Sequence, residues 1–238
     1  MTNGRRFVLA GLSATGKTTA LRALAKSPDV TTVPEHNDWI GGSQNFPKAP
    51  KTIEEKKAKQ RFFLQIDLEL QKWVTAHLGE HPYIISDSDF TSPLAHNYAE
   101  RWLIPELDIY AWLVETYCEM LQSGQLSPAS LYIYLDATLE QRRERRLSEM
   151  TVRRRNDMFF TEPFPTRMRR FYWVLMHPDS PRAVLPACWH SHDGSCDEEL
   201  PRIRSAMESS AQRPKQEVDI QALIEVLRST ISDSPDMP

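Results

Sequence analysis

Short runs of apolar or β-branched residues alternate along the chain with longer segments in which apolar residues recur at helical spacing. Five of these runs are typical of buried strands: 7–10, 30–33, 83–86, 131–135 and 182–187. The helical patterns occupy 18–26, 52–77, 93–103, 106–122, 163–177 and 218–232. Another helix is predicted to begin at Thr138, where the spacing of a capping box follows the fourth strand. Strands that alternate with helices in this way predict an α/β fold with a parallel sheet.

Local sequence signals refine several boundaries. Thr52 and Glu55 have the spacing of a capping box, so the long helix is expected to begin there and to end before Gly79. Pro186 lies inside the last predicted strand and favours the edge of the sheet, because proline cannot donate to a strand ladder. Residues 205–217 are polar and are predicted to be mobile. The segment 218–232 has one apolar face and is predicted to dock on a single domain that spans 1–238.

The segment between the first strand and the first helix, 11–18, reads GLSATGKT and fills the phosphate-binding P-loop spacing G-x-x-x-x-G-K-[ST] at every fixed position. Its glycines let backbone N–H groups curl around phosphate oxygens at the positive end of a helix dipole. Lys17 is expected to reach the β- and γ-phosphates, and the Thr18 hydroxyl is expected to bind Mg²⁺. The sequence therefore predicts that ATP and Mg²⁺ bind here. The candidate nucleotide-binding residues are Gly11, Ser13, Ala14, Thr15, Gly16, Lys17, Thr18 and Thr19.

Carboxylates follow the second and third predicted strands. Glu35 comes just after 30–33, and Asp87 and Asp89 come just after 83–86. The carboxyl ends of strands line the ligand crevice of an open α/β sheet, so these residues are candidates for chemistry and for substrate contact. One of the two aspartates is a candidate ligand for Mg²⁺, which prefers oxygen atoms. The competing interpretations are a solvated loop glutamate and an N-cap for the next helix.

Seven arginines cluster after the fourth predicted strand. Arg142 and Arg146 share one face of the predicted helix, four residues apart. The cluster is either a solvated or RNA-binding surface or a lid that closes arginines over phosphates. Because a P-loop lies in the same domain, we favour an arginine-rich lid at about 142–160, with Arg142 and Arg146 as catalytic candidates. The seven are Arg142, Arg143, Arg145, Arg146, Arg153, Arg154 and Arg155.

Composition narrows the functional classes. A formal net charge of -3 over 238 residues gives no global case for nucleic-acid binding. No apolar run approaches the ~18 residues that span a bilayer, and the first strand follows residues 1–6 without a signal-peptide core. Three cysteines are a sparse and odd set, as expected where thiols stay reduced. We therefore expect a soluble, cytoplasmic protein that acts on a small molecule, with no specific nucleic-acid or membrane partner; a homodimer stays open.

Two further features leave alternatives open. Gln65 lies beside the apolar stripe of the long predicted helix, and a buried amide must bond either to the protein or to a ligand. The spacing of the second feature, C-x-H-x-H-x₃-C, matches no usual structural zinc framework, so a loop after the edge strand is the simpler interpretation. Its residues are Cys188, His190, His192 and Cys196.

Over about 5–190, the chain resembles the deoxynucleoside kinase and thymidylate kinase superfamily of P-loop phosphotransferases. The segment VPEHNDW at 33–39 is similar to the family's E-P-V-x-x-W motif, which implies Glu35 as the base on a nucleoside 5′-hydroxyl and Trp39 as a wall of the substrate site. The segment 63–65 is similar to the family's helix that presents a glutamine to the nucleobase, which implies that Gln65 binds substrate. The resemblance also implies the sheet order 2-3-1-4-5 in a three-layer sandwich.

Departures from the family pattern bear on the acceptor. Asp87 stands where the family has an acidic residue, but Ser88 replaces the arginine that follows it, and His36 replaces a proline. These departures favour an acceptor that differs from an ordinary deoxynucleoside. The predicted function is transfer of the γ-phosphoryl group of ATP, with Thr18 and Asp87 on Mg²⁺, to a hydroxyl of a nucleoside or nucleoside analogue. The alternatives are a nucleoside monophosphate kinase, a kinase of a specialised metabolite or antibiotic, and a nucleotide-dependent RNA-binding switch.

Overall fold

Five parallel strands form one sheet at the centre of the fold, in the order β2-β3-β1-β4-β5. This order confirms the one that the sequence resemblance implied. The computed structural model describes residues 4–33, 36–147, 158–191 and 196–234. The strands are β1 (Arg5–Ala10), β2 (Val30–Val33), β3 (Tyr83–Ser86), β4 (Leu131–Asp136) and β5 (Ala187–Ser191).

Helices cover both faces of the sheet, so the fold is the predicted three-layer sandwich. Strand β4 shows the division, because Tyr132 and Tyr134 face the larger core and Ile133 and Leu135 face the smaller one. No described helix combines the length and apolarity needed to cross a membrane. The helices are α1 (Lys17–Leu24), α2 (His36–Trp39), α3 (Ile53–His77), α4 (Thr91–Glu100), α5 (Tyr110–Gln122), α6 (Leu139–Leu147), α7 (Phe164–Met176), α8 (Cys196–Gln212) and α9 (Ile220–Ser229).

Helix α3 begins as its sequence predicts. The Thr52 hydroxyl accepts a hydrogen bond from the backbone N–H of Glu55 at 3.2 Å, which satisfies one of the free donors of the first turn. The inward face of α3 carries polar as well as apolar side chains. A buried polar group requires a hydrogen-bond or ion-pair partner. At these positions α3 therefore contacts polar groups as well as apolar side chains. The buried polar residues of α3 are Lys56, Gln60, Asp67 and Gln71.

The prediction of a last strand at 182–187 is wrong, because the strand is β5 at Ala187–Ser191. The backbone N–H groups of Val184 and Leu185 donate to the carbonyl of Leu175 at the end of α7, so this stretch is a turn against that helix. Pro186 precedes the strand and offers only its carbonyl, which accepts from the N–H of Tyr132 at 2.8 Å. The predicted edge position is correct, since β5 pairs with β4 alone in the described sheet.

The prediction that 205–217 is mobile is wrong for its first half, because α8 continues to Gln212. Ile203 and Met207 lie four residues apart and are fully buried in the smaller core. Arg204 pairs with Asp29 and ties the helix to the turn before β2. Two buried apolar residues within a polar sequence are enough to dock the helix, but they give a weak periodic signal. The terminal helix lies at α9, where Leu223, Ile224 and Leu227 are buried in the larger core.

Candidate active site

The sheet order brings three chain segments to one edge. Strands β2, β3 and β1 are neighbours, and along the chain their carboxyl ends precede α2, Asp87 and the P-loop. The carboxyl edge of an open parallel sheet is where ligands bind in this class of fold. Asp87 therefore lies between the P-loop and the segment that follows β2.

The P-loop backbone has the conformation that its glycines permit. Gly11 has φ 136°, and a Cβ at this position would lie 2.5 Å from the carbonyl oxygen of Leu135. Gly16 has φ 95° and directly precedes α1. Ala14 also has a positive φ, 62°, which is uncommon for a residue with a side chain. The Thr15 hydroxyl donates to the carbonyl of Leu12 at 3.0 Å and closes the loop.

The loop directs backbone donors toward the crevice. The N–H of Ala20 donates to the carbonyl of Gly16 at 2.9 Å, so the amides of the first three residues of α1 precede the helical ladder. Backbone amides in the first turn of a helix, together with the helix dipole, attract phosphate. Lys17 Nζ lies at the same end and donates to the carbonyls of Gly11 at 3.1 Å and Leu12 at 2.9 Å. This cradle is suited to a polyphosphate.

Thr18 and Asp87 converge beside the cradle. The Thr18 hydroxyl donates to Asp87 Oδ2 at 2.7 Å, and Lys17 Nζ lies 3.8 Å from Asp87 Oδ1. Asp87 is buried, so its charge is little screened by solvent. A hydroxyl and a carboxylate oxygen are the hard ligands that Mg²⁺ takes, usually together with water and substrate phosphates. These two residues fit a magnesium site, and the structure brings them together as the sequence predicted.

Asp89 has a different place from the predicted substrate contact. Its Oδ1 accepts from the N–H and hydroxyl of Thr91 at 2.9 and 2.7 Å, and its Oδ2 accepts from the Tyr132 hydroxyl at 2.6 Å. Burial raises the pKa of the Asp89 carboxyl above its ordinary value. The residue accepts from the first backbone N–H of α4 and contacts the core face of β4. The competing interpretation was an N-cap, and Asp89 lies one residue before the N-cap, Phe90.

The Arg142 side chain is buried and supports the P-loop, so it is not an exposed lid residue. It is 1% exposed, its Nε donates to the carbonyl of Ser13 at 2.7 Å, and its Nη2 donates to the carbonyl of Phe159 at 2.6 Å. Burial lowers the pKa of its guanidinium to about 10. The sequence pattern correctly placed Arg142 close to the P-loop. Its side chain, however, contacts the backbone of that loop and is not open to solvent. A helical arginine spacing does not reveal which members turn inward.

Other members of the arginine cluster extend this contact. Arg145 Nη1 donates to the carbonyl of Thr15 at 3.3 Å, so α6 meets the P-loop at a second point. Arg146 is partly exposed on the same helix. The segment 148–157, with Arg153, Arg154 and Arg155, lies outside the described residues, as does Glu35. The predicted lid and the predicted base therefore stay predictions.

The buried amides on α3 are Gln60 and Gln71, and not Gln65. Gln65 is exposed, whereas Gln60 is 8% exposed and its Oε1 has no hydrogen-bond partner among the described residues. The sequence contained a signal for this. Lys56, Gln60 and Asp67 are separated by four and seven residues, which places them on one face of a helix. The apolar stripe near Gln65 led to the prediction of a buried amide on a different helical turn of α3.

Trp39 and His36 lie on α2, next to α3. Trp39 Nε1 donates to Glu69 at 3.4 Å at the protein surface. The His36 ring lies 5.9 Å from the ring of Phe63, and its Nε2 lies 2.7 Å from Asp67 Oδ1. The segment after β2 thus contacts the middle of α3.

A cavity of about 320 Å³ adjoins the P-loop on the side of β4. Leu12 contributes from the P-loop, Thr138 and Arg142 from the start of α6, and Thr166 and Arg169 from α7. Arg169 also pairs with Asp136 through three hydrogen bonds of 2.5–3.1 Å. The volume lies within the range of small-molecule pockets.

The cysteine and histidine spacing falls on β5 and beyond it, not in a loop after the strand as predicted. Cys188 and His190 are strand residues, and burial raises the pKa of the Cys188 thiol to about 12. His190 Nδ1 lies 3.6 Å from Glu199 Oε2 of α8. His192 lies outside the described residues, and within them no group of three metal-binding side chains forms.

Solved structures share this fold. A deoxyadenosine kinase from M. mycoides with bound dCTP matches at a TM-score of 0.64 and 14% sequence identity, over 86% of this chain and 99% of that one. The same enzyme with bound dATP matches at 0.65 and 13%, over 85% and 99%. A thymidylate kinase from Candida albicans matches at 0.59 and 15%, over 91% and 97%. No protein-family model and no curated protein sequence matches the chain. The chain therefore has the fold of these P-loop kinases.

Proposed function

We propose that this protein is an ATP- and Mg²⁺-dependent kinase that transfers the γ-phosphoryl group to a hydroxyl of a nucleoside or nucleoside analogue. The observation that carries the proposal is the convergence of Lys17, Thr18 and Asp87 beside a complete P-loop. The fold likeness to two nucleoside and nucleotide kinases supports the same class. Phosphoryl transfer depends mainly on positioning and charge neutralisation, and this group of residues is suited to both.

On the donor side, the P-loop amides and Lys17 hold the phosphates, and Thr18 with Asp87 holds the metal. When bound, Mg²⁺ neutralises charge on the phosphate oxygens. The cavity beside Leu12 is the candidate site for the base of the donor nucleotide, because it adjoins the P-loop and has a volume of about 320 Å³. Arg142 supports the conformation of the P-loop through its hydrogen bond to the Ser13 carbonyl.

On the acceptor side, the charges of α3 favour a neutral molecule. Lys56 Nζ lies 2.7 Å from Glu100 Oε2, so a neighbouring carboxylate already balances its charge. Gln60 offers an amide oxygen that has no hydrogen-bond partner among the described residues. A phosphate acceptor would meet cations that already have carboxylate partners, since Lys56 pairs with Glu100 and His36 lies 2.7 Å from Asp67. A hydroxyl acceptor with a hydrogen-bond donor for Gln60 fits these groups better.

The remaining roles rest on the sequence. Glu35 follows β2 in the sequence and is the proposed general base, which takes the proton of the acceptor hydroxyl. Arg146 and the arginines at 153–155 are the proposed lid residues that meet the transferring phosphoryl group. We place the protein in the cytoplasm, acting on a small molecule.

The experiment is to incubate the protein with ATP, Mg²⁺ and a panel of nucleosides, nucleoside monophosphates and sugars, and to detect an added phosphoryl group by mass. Lys17→Ala is the control, because its lysine meets phosphate and does not lie in the core. Transfer to a nucleoside hydroxyl that is lost in this variant supports the proposal. Transfer only to monophosphates, or ATP hydrolysis that RNA stimulates without any small acceptor, would replace it with one of the alternatives.

A further inference from the structure

Three side chains from three helices meet beside the proposed acceptor site. His36 lies at the start of α2, Asp67 in the middle of α3, and Tyr117 in α5. His36 Nε2 lies 2.7 Å from Asp67 Oδ1, and the Tyr117 hydroxyl donates to Asp67 Oδ2 at 2.8 Å. Asp67 is 5% exposed and Tyr117 is fully buried. Both oxygens of this buried carboxylate are therefore held by identified partners.

Asp67 and Tyr117 together orient the imidazole of His36. Burial raises the pKa of the Tyr117 hydroxyl well above its ordinary value, so this group stays a hydrogen-bond donor. A buried carboxylate is costly unless it is paired, and the ion pair that the described residues give Asp67 is with His36. The tautomer of His36 that carries its proton on Nε2 is the one that can donate to Asp67 Oδ1.

An aromatic contact also restrains the His36 ring. It lies against Phe63, whose ring in turn lies 5.2 Å from the ring of Phe46 in an edge-on arrangement. His36 immediately follows Glu35 in the chain and comes three residues after the end of β2. A contact that fixes the imidazole of His36 thus acts on the residue that directly follows the proposed general base in the chain.

We infer that Asp67 and Tyr117 are positioning residues, which hold the start of α2 through the imidazole of His36 so that the acceptor hydroxyl and its base meet. The inference rests on the proposed function. In this role His36 supplies a hydrogen-bond donor and a shape, and it does not itself carry the proton of the reaction. Asp67 and Tyr117 act through His36 and do not touch the acceptor.

Substitution of His36 separates a positioning role from a chemical one. His36→Gln keeps an N–H donor that can reach Asp67, whereas His36→Ala removes it. We expect kcat to fall about 10- to 30-fold in His36→Ala and to stay within about threefold of the parent in His36→Gln, with the KM for ATP unchanged in both. If His36→Gln is as slow as His36→Ala, the imidazole takes part in proton transfer and the inference is wrong.

A double-mutant cycle tests whether Asp67 works through His36. Asp67→Ala is expected to lower kcat as much as His36→Ala does, and the two together are expected to be no slower than either alone. Tyr117→Phe removes one hydroxyl from the fully buried position and is the second variant if Asp67→Ala does not fold. It is expected to lower kcat about two- to fivefold in the parent and to have no effect in His36→Ala. Additive losses would contradict the inference.

Amide hydrogen exchange of residues 36–46 without substrate gives a readout that needs no activity. The inference predicts faster exchange in His36→Ala and Asp67→Ala and parent-like exchange in His36→Gln. Parent protein that transfers no phosphoryl group to any acceptor would refute the proposed function, yet this exchange pattern would still be measurable. Equal exchange in all four proteins would refute the positioning role while leaving the proposed function intact.

Discussion

The hydroxyl of Thr18 donates to Asp87 Oδ2 at 2.7 Å, which joins the first turn of α1 to the carboxyl end of β3 across the crevice. The two residues are 69 positions apart in sequence and meet because β3 lies beside β1. Lys17 Nζ, 3.8 Å from the other carboxylate oxygen, completes a group of one cation and two oxygen ligands. This relationship is the basis of the proposed metal and phosphate site.

Asp87→Asn tests the metal role of this pair. The change keeps the size and removes the negative charge, so the benefit that Mg²⁺ gives to ATP binding should fall about tenfold, in the range seen for altered metal surroundings. Binding of ATP without Mg²⁺ should stay the same or improve, because a negative charge near Lys17 is gone. Calorimetry with and without Mg²⁺ measures both affinities. An equal gain from Mg²⁺ in parent and variant would remove Asp87 from the metal site.

Gln60→Met tests acceptor recognition. The substitution keeps the volume and removes an unpaired buried oxygen, so the folded protein should be slightly more stable, while the KM for the acceptor should rise about 5- to 20-fold for one lost hydrogen bond. Thermal unfolding and steady-state kinetics provide the two readouts. Gln65→Met is the matched control on the exposed face of the same helix and should change neither. A larger kinetic effect at Gln65 would restore the sequence-based prediction.

Arg142→Ala tests whether the buried Arg142 side chain supports the P-loop. It leaves the carbonyls of Ser13 and Phe159 without their donor in a buried setting, which should cost about 3 kcal/mol. For a chain of this size that corresponds to a melting temperature lower by about 6–12 °C. Arg143→Ala is the control and should lower the melting temperature much less, because Arg143 is exposed and donates one hydrogen bond, to the carbonyl of Phe160. Unchanged melting with a large loss of kcat in Arg142→Ala would favour the direct lid role that the sequence predicted.

Asp89→Asn tests the structural place of Asp89. Because burial raises the folded-state pKa of this carboxyl, the folded protein binds its proton more tightly than the unfolded chain. The corresponding stability is present below the unfolded pKa and is lost as pH rises through the folded pKa. The free energy of unfolding of the variant relative to the parent should therefore increase as pH rises from about 3.8 through the raised value. A difference that does not depend on pH would contradict the assignment.

The sequence predicted the parts of the fold that local patterns determine. The P-loop, the first four strands and the capped start of α3 each depend on residues close together in the chain. The edge strand was misplaced because a short apolar stretch with a proline is equally compatible with a turn against α7. Helix α8 was partly missed because Ile203 and Met207 dock it with little apolar surface.

The candidate site was predictable where one motif contains it. The P-loop residues follow from spacing alone, whereas the role of Asp89 depends on Tyr132, which lies on a strand 43 residues away. The inward turn of Arg142 likewise depends on where the P-loop lies against α6. Sequence spacing identifies residues on one face of a helix, but tertiary packing decides which face is buried, and this is why Gln60 was missed.

The chemical form of the product tests the central claim most directly. With ATP, Mg²⁺ and the best acceptor of the panel, ³¹P NMR follows the phosphorus that leaves the γ-position. We predict a phosphomonoester resonance without phosphorus–phosphorus coupling, which grows in step with ADP and is absent for Lys17→Ala. A coupled diphosphate signal would show that the acceptor is a phosphate, and inorganic phosphate alone would show hydrolysis. Either of these results would contradict a kinase with a hydroxyl acceptor.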